Sequence, residues 1–355
     1  MAVEQHASLS PELRAELRDY LARAGASRGA CGEMDPAWLD VLQDGLGHRP
    51  LALVHRDRGG AIDGYLPMAW VRSRLFGRFL VSLPYLNRAG VVTEHDGVAD
   101  ALIATACEAG RRGGARYVEL RHDARRLAHD LLHETRDDKS RMVLALAADG
   151  EALWTGLNAK VRNQVRKGQK ANLEIRWGGR ELARAFHDVF AVTMRDLGTP
   201  VYARRLFEAV LTHLDGRAEL AVVQHDGRPV AGALLIHETT GGEPITQVPS
   251  AACLRSANPL CANMFLYHAL LERAIARGSA SFDFGRSSEG SGTWKFKKQW
   301  GAQPVPSPWQ YCRLRGATDA VRPDNPRYAR RIEMWRKLPL WATRMAGPAI
   351  VRGIP

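Results

Sequence analysis

The sequence has no run approaching the roughly 18 consecutive apolar residues that a helix needs to span a bilayer. Its first residues, MAVEQHASLSPELRAELRDY, show no basic flank followed by an apolar stretch, so no secretory leader is expected there. The expectation is a cytoplasmic protein, with peripheral membrane contact left open. Cysteine is scarce. Cys31, Cys107, Cys253, Cys261 and Cys312 are dispersed, odd in number and without a CxxC pair, which argues for reduced thiols rather than a disulfide framework. Neither GxGxxG nor GxxxxGK occurs, which excludes the dinucleotide and P-loop fingerprints, and there is no HExxH helix. His122, His129 and His133 are spaced too loosely to fix three metal ligands, and His268 lies among apolar neighbours as packed histidines do.

What is present is ordinary in bulk and unusual in charge. Hydrophobic residues make up 45% and charged residues 25% of 355, enough for a substantial core and, by length, for two domains. The net charge of +12 favours an anionic partner: RNA, a phosphorylated cofactor or an acidic membrane surface. Residues 8–24 read as a helix started by Ser8 or Ser10, with Pro11 just inside and Glu12 nearby. LALVHRD, IDGYLPMAWV and RFLVSLP read as successive strands, ADALIATACEAGRRGG as a helix, and ARYVELRH and MVLALAA as strands, the last closed by an Asp149-Gly150 turn.

The same grammar then recurs. GRELARAFHDVFAVTMRDLG and YARRLFEAVLTHL are helices, and two strands follow, joined at Asp226-Gly227. ITQVPSAA, the helix CANMFLYHALLERAIARG, the strand SFDFG and an edge strand WQYCRL complete the second half. A duplicated α/β unit is expected, divided as 1–155, a basic connector 156–178, 179–320, and a basic helical tail 321–355. In that tail residues 326–338 form an amphipathic helix bearing Arg327, Arg330, Arg331, Arg336 and Lys337 beside Trp335 and Trp341.

Two segments carry the candidate chemistry. In NAKVRNQVRKGQKANLEIRW, Lys160, Arg162, Arg166, Lys167 and Lys170 lie together with no acid among them, and 162, 166 and 170 share a helical face. Such a face is either a solvated connector or a contact for RNA, pyrophosphate or lipid headgroups. In FDFGRSSEGSGTWKFKKQWGAQPVP, Asp283 alternates with Phe282 and Phe284, so phenylalanines turned to the core leave Asp283 facing a cleft or a helix. Gly285 permits a turn, and the loop from Ser287 to Thr293 can offer amides to an anion. Arg286, Lys295, Lys297 and Lys298 add positive charge and Trp300 an apolar anchor. The alternative is that Asp283 and Arg286 pair with the lysines for structural reasons alone.

VRNQVRKGQKANLEI resembles the boundary segment of the Fem family, whose members append amino acids to peptidoglycan precursors. FDFGRSSEGSGTWKFKKQWGAQPVP, LPMAWVRSRLFGRFLVSLPYLNRAGVV and YVELRH are similar to Fem-like proteins associated with exosortase and exopolysaccharide loci. The likeness covers most of residues 38–312. It implies an α/β fold of two tandem GNAT-type acyltransferase domains with mixed, mostly antiparallel sheets flanked by helices. It also implies transfer of an activated acyl or aminoacyl group to an amine of a cell-envelope or exopolysaccharide precursor. Donors would be acyl-CoA or aminoacyl-tRNA, with no permanently bound cofactor and no metal. By motif, Arg162, Arg166, Lys167 and Lys170 occupy the basic boundary run, and Asp283, Phe284, Gly285, Lys295, Lys297 and Trp300 the C-terminal motif, Asp283 being the candidate for orienting or deprotonating the acceptor amine. The implied partners are tRNA, a lipid-linked acceptor and an anionic membrane surface. Two departures stand against a simple transfer: residues 179–214 leave no room for a coiled-coil arm, and no Q/RxxGxG signature precedes the helix at 261. A noncatalytic RNA-binding or membrane-peripheral module is the competing reading.

Overall fold

The computed structural model describes residues 2–25, 30–123, 127–316 and 329–355. The first half opens with β1 (Glu4–His6), the helices α1 (Pro11–Ala24) and α2 (Ala37–Leu46), then β2 (Arg49–Arg56), β3 (Ile62–Ser73), β4 (Gly77–Val81) and β5 (Val92–Thr93). It continues through α3 (Asp96–Arg112), β6 (Tyr117–Arg121), β7 (Glu134–Arg136) and β8 (Lys139–Ala145). After α4 (Gly150–Gly156) and α5 (Ala159–Gln169) the pattern repeats: β9 (Leu173–Gly178), α6 (Ala183–Leu197), α7 (Arg204–His213), β10 (Ala218–His225), β11 (Arg228–Thr240), β12 (Glu243–Cys253), α8 (Ala262–Ala276) and β13 (Ser281–Ser288). The chain ends with α9 (Gly292–Lys298), β14 (Gln303–Pro306), β15 (Trp309–Arg313), α10 (Ala329–Lys337) and α11 (Leu340–Val351).

Local chemistry sets these boundaries. The Ser10 hydroxyl accepts from Leu13 N at 3.2 Å to start α1, and Asn158 does the same for α5 through Val161 N at 3.0 Å. Asp226 and Gly227 both take left-handed dihedrals, the geometry of a two-residue hairpin between β10 and β11. Asp149, expected in a turn, instead caps α4 by accepting from Ala152 N at 2.8 Å. Helix α2, bounded by Pro36 and Gly47, buries seven of its ten residues and leaves Gln43 exposed between Asp40 and Asp44.

Each half builds one sheet: strand, two helices, three antiparallel strands, a helix and a parallel strand. The first sheet has the order β1-β2-β3-β4-β6-β15-β7, with β5 on β3; the second has the order β14-β8-β13-β12-β11-β10-β9. The division at 155/156 is therefore corrected. Strand β8 leaves the first half to pair with β13 and β14, and β15 returns from the C-terminal half to pair with β6 and β7. For the same reason WQYCRL is no edge strand. Gln310, Tyr311 and Cys312 are all buried, because the strand is covered on both faces and paired on both sides. The expected tail is met by α10 and α11, while residues 321–328, including Arg327, lie outside the described residues.

One hydrophobic core joins the halves: α1 and α2 meet α6 and α7, with Trp38, Leu42, Phe186, Phe207 and Val210 fully or nearly fully buried. Gly45 lets α2 close on α7, since a β-carbon there would lie 2.9 Å from Leu206 Cα. A second core lies under α8 and α5, and a third under α3. Among the described residues no helix is long and apolar enough to cross a membrane.

Candidate functional site: a buried polar seam between the halves

In each half the parallel strand pair is short, and the sheet opens beyond it. β12 and β13 are paired only from Ile245↔Ser281 to Gln247↔Asp283. β4 and β6 are paired only at Leu80↔Val118 and Val81↔Glu119. The segment after β4, SLPYLNRAG, turns toward the second half. Two of its residues, Leu83 and Tyr85, hold positive φ (48° and 81°), uncommon for side chains of that size. The conformation is held from several sides. Arg121 donates to Leu86 O at 2.5 Å, Ala89 N donates to Arg121 O, Trp309 Nε1 donates to Asn87 O at 3.1 Å, and Tyr85 OH shares a hydrogen bond with Ser250 Oγ at 3.0 Å.

This turn delivers Arg88 into the interior, fully buried. Its guanidinium meets Glu33 at 2.5 Å, Glu238 at 2.9 Å and Asp123 at 3.3 Å. From the second half, Arg141 on β8 reaches Asp123 at 3.2 Å and Asp283 at 2.9 Å. Four carboxyl groups thus share two guanidinium groups, three of the acids being almost wholly enclosed. Burial with a shortage of positive charge favours keeping a proton. Burial pushes Glu238 up to about 8, with Arg88 pulling the other way, Glu33 and Asp283 adding to the rise, and the Gln247 amide opposing it. Glu33 is raised too, again chiefly by burial and against Arg88.

Glu238 also borders an opening, although its side chain is only 2% exposed. It forms part of the wall of a cavity of about 670 Å³ between the halves, with Cys31, Gly32, Arg18, Arg217 and Arg277. Its Oε1 accepts from Arg88 and Gln247, whereas its buried Oε2 has no hydrogen-bond partner. A β-carbon at Gly32 would collide with that carboxylate, so only glycine lets the first half lie over it.

The expected site residues separate into two groups. Phe282 and Phe284 face the core beneath α8, where Tyr267 packs on Phe284. Asp283 faces the other way, but into the seam and not into an opening. It is 2% exposed, with one oxygen on Arg141 and the other accepting from Gly285 N at 2.7 Å. Both oxygens being engaged, it braces Arg141 and is not available to an amine. Gly285 takes a left-handed φ of 78° beside the Asn87 side chain, a backbone conformation that favours glycine. Lys297 is buried and donates to Gly285 O and Arg286 O at 3.0 and 3.2 Å, tying α9 to the end of β13, and burial pushes it down to about 8 with Asp283 opposing. Arg286 stacks on Trp309 at 3.7 Å, on a ring that Arg121 also covers at 4.0 Å. Burial and Arg121 together push Arg286 down to about 10. Trp300 belongs to the second core and is 3% exposed, so it anchors α9 rather than a ligand.

Arg162, Arg166, Lys167 and Lys170 do not enter the seam. They lie along α5 on the outer side of the second half, where Arg162 donates to Leu157 O, Arg166 covers Trp154 at 5.1 Å, and the two lysines are exposed. Asn158 Nδ2 donates to Gln299 O at 3.1 Å, which joins the start of α5 to the end of α9, the helix that carries Lys295 and Lys298. Sequence reasoning does not find Glu33, Arg88, Asp123, Arg141 or Glu238. One signal was available: Glu238 and His237 are the only charge-bearing side chains at the end of the apolar run VAGALLI.

A family model described as an acetyltransferase (GNAT) domain matches residues 157–298. Among solved structures, FemX superposes with a TM-score of 0.64 at 14% identity, over 88% of this chain and 98% of its own. A tandem GNAT protein from the clavulanic acid biosynthesis pathway gives 0.56 at 14% identity, over 89% of this chain and 100% of its own. L-PGS from Bacillus licheniformis gives 0.54 at 14% identity, over 84% and 92%. No curated protein matches the sequence. At these identities the likeness is one of fold. The chain is a mixed α/β protein of two GNAT-like domains, structurally similar to FemX, and its fold supports acyl transfer as the class of chemistry.

Proposed function

We propose that the protein is an N-acyltransferase that joins an activated acyl or aminoacyl group to an amine at the seam between its halves, Glu238 taking the proton of the attacking amine. One observation carries this reading: a buried carboxyl with a free oxygen, pushed up to about 8, in the wall of an interdomain cavity. A base with a pKa near the working pH combines availability with proton affinity. The amine lone pair forms the C–N bond at the donor carbonyl. The bond to the leaving group, a CoA thiolate or a tRNA ribose oxygen, breaks with its electron pair, and the surplus proton on nitrogen passes to Glu238. Arg88 stabilises the ionised carboxylate, and Asp283 positions Arg141 behind it. No side-chain nucleophile is required, because holding donor and acceptor together supplies much of the rate.

The exposed cations Lys167 and Lys170 at α5 and Lys295 on α9 support a large polyanionic donor, of which aminoacyl-tRNA fits best. The motif likeness to Fem-like proteins and the fold likeness to FemX support an acceptor amine on a cell-envelope or exopolysaccharide precursor. The test is mass spectrometry of products from acyl-CoA and aminoacyl-tRNA donors, with Glu238→Gln run alongside. Expected is an amide product from one donor class, lowered at least about 100-fold in turnover by the substitution while melting changes by only a few degrees. Activity kept within about threefold would remove Glu238 from the chemistry. No product with either donor would remove the transfer itself.

A further inference from the structure

Four of the six large hydrophobic side chains that stand exposed among the described residues fall within one twelve-residue stretch: Met334, Leu338, Trp341 and Met345. Trp341 and Met345 are 67% and 75% exposed. A fifth, Leu197, adjoins them, since Arg336 Nη2 donates to Leu197 O at 3.1 Å. Chance scatter on a soluble surface does not concentrate apolar groups this way.

The stretch is not a loose tail. Ile332 and Arg336 turn α10 onto the end of α6, where Gly198 has no β-carbon to obstruct Ile332. Thr343, Gly347 and Val351 turn α11 inward, and a β-carbon on Gly347 would press on the Val201 backbone. Arg344 adds an ion pair with Asp188 at 2.8 Å. In a helix, a residue two places from an inward one points to the opposite side. Met334 lies between Ile332 and Arg336, and Met345 between Thr343 and Gly347, so docking on α6 itself directs the apolar set outward. Around this set the segment 329–355 carries Arg330, Arg331, Arg336, Lys337, Arg344 and Arg352 against one acid, Glu333.

We propose that the outer face of α10 and α11 is a docking surface for a bilayer rich in anionic lipid. Methionine, leucine and tryptophan enter the interfacial region, and Arg330, Arg331 and Lys337 meet lipid phosphates. An amphipathic helix of this make-up lies in the membrane plane and binds by apolar insertion together with charge. A second copy of the chain is the competing occupant. Its own cationic rim would have to be brought against an identical one, whereas an anionic surface complements that rim.

The test is co-sedimentation of the full chain with phosphatidylcholine vesicles, with and without one-third phosphatidylglycerol. It is repeated for Trp341→Ser combined with Met345→Ser, and for Arg330→Gln combined with Lys337→Gln. Melting curves check each fold, and sedimentation velocity reports oligomeric state. Expected is binding at least about tenfold tighter to the anionic vesicles, weakened by raised salt. Each double variant loses about tenfold or more of it at unchanged melting temperature. Equal binding to neutral vesicles, no binding, or indifference to the apolar pair would overturn the proposal. So would a dimer that the apolar pair abolishes.

Discussion

At the scale of residues, the molecule turns on Arg88. A side chain of this charge is wholly enclosed only because three carboxyl groups answer it, and a rigid turn with two residues at positive φ holds it there. Removing one partner of a buried ion network costs more than the network contributes net, because the remaining charges lose their compensation. Arg88→Met is expected to lower unfolding free energy by about 3–5 kcal/mol, measured by urea titration. Adding Glu33→Gln and Glu238→Gln should return part of the loss. A change under about 1 kcal/mol would mean that water or rearrangement already screens the acids. None of this is readable in the sequence, where Glu33 and Glu238 stand 55 and 150 residues from Arg88. Asp283 is legible through its alternation against Phe282 and Phe284. Its partner Arg141 is 142 residues away, and no local pattern announces it.

At the scale of elements, periodicity and caps serve well wherever one face of a segment is buried. The start of α1, the end of α6 at Gly198, the β10–β11 hairpin and the end of α8 at Gly278 all follow from short-range rules. The errors fall where tertiary placement overrides local pattern, as in β15, which looks like an edge and lies inside a sheet. The basic helix α5 is visible as a charge run, but not the placing of α9 beside it. If the basic run of α5 receives a polyanion, Lys167→Gln with Lys170→Gln should weaken tRNA binding. It should also reduce the slope of log affinity against log salt by roughly 0.7–0.9 for each phosphate no longer neutralised. Filter binding across salt concentrations checks this. An unchanged slope would return α5 to the role of a solvated connector.

At the scale of the whole molecule, repetition of the α/β unit is legible and its interlocking is not. The exchange of β8 and β15, and a single core shared by α1, α2, α6 and α7, fuse two GNAT-like domains. Their junction encloses more carboxyl than guanidinium, and that imbalance is the basis of the functional reading. The folded state holds the Glu238 proton more tightly than the unfolded chain, whose value is near 4.5. The resulting stabilisation is complete below that value and is lost as pH rises through about 8. The most direct measurement needs no substrate: a carboxyl carbon-13 NMR titration of the folded protein, with Glu238→Gln as the assignment control. The expected result is a glutamate resonance with its midpoint near 8 that is missing from the variant. If every glutamate instead titrates in the ordinary range below about 6, the seam holds no proton to exchange with an amine, and the account of Glu238 is wrong.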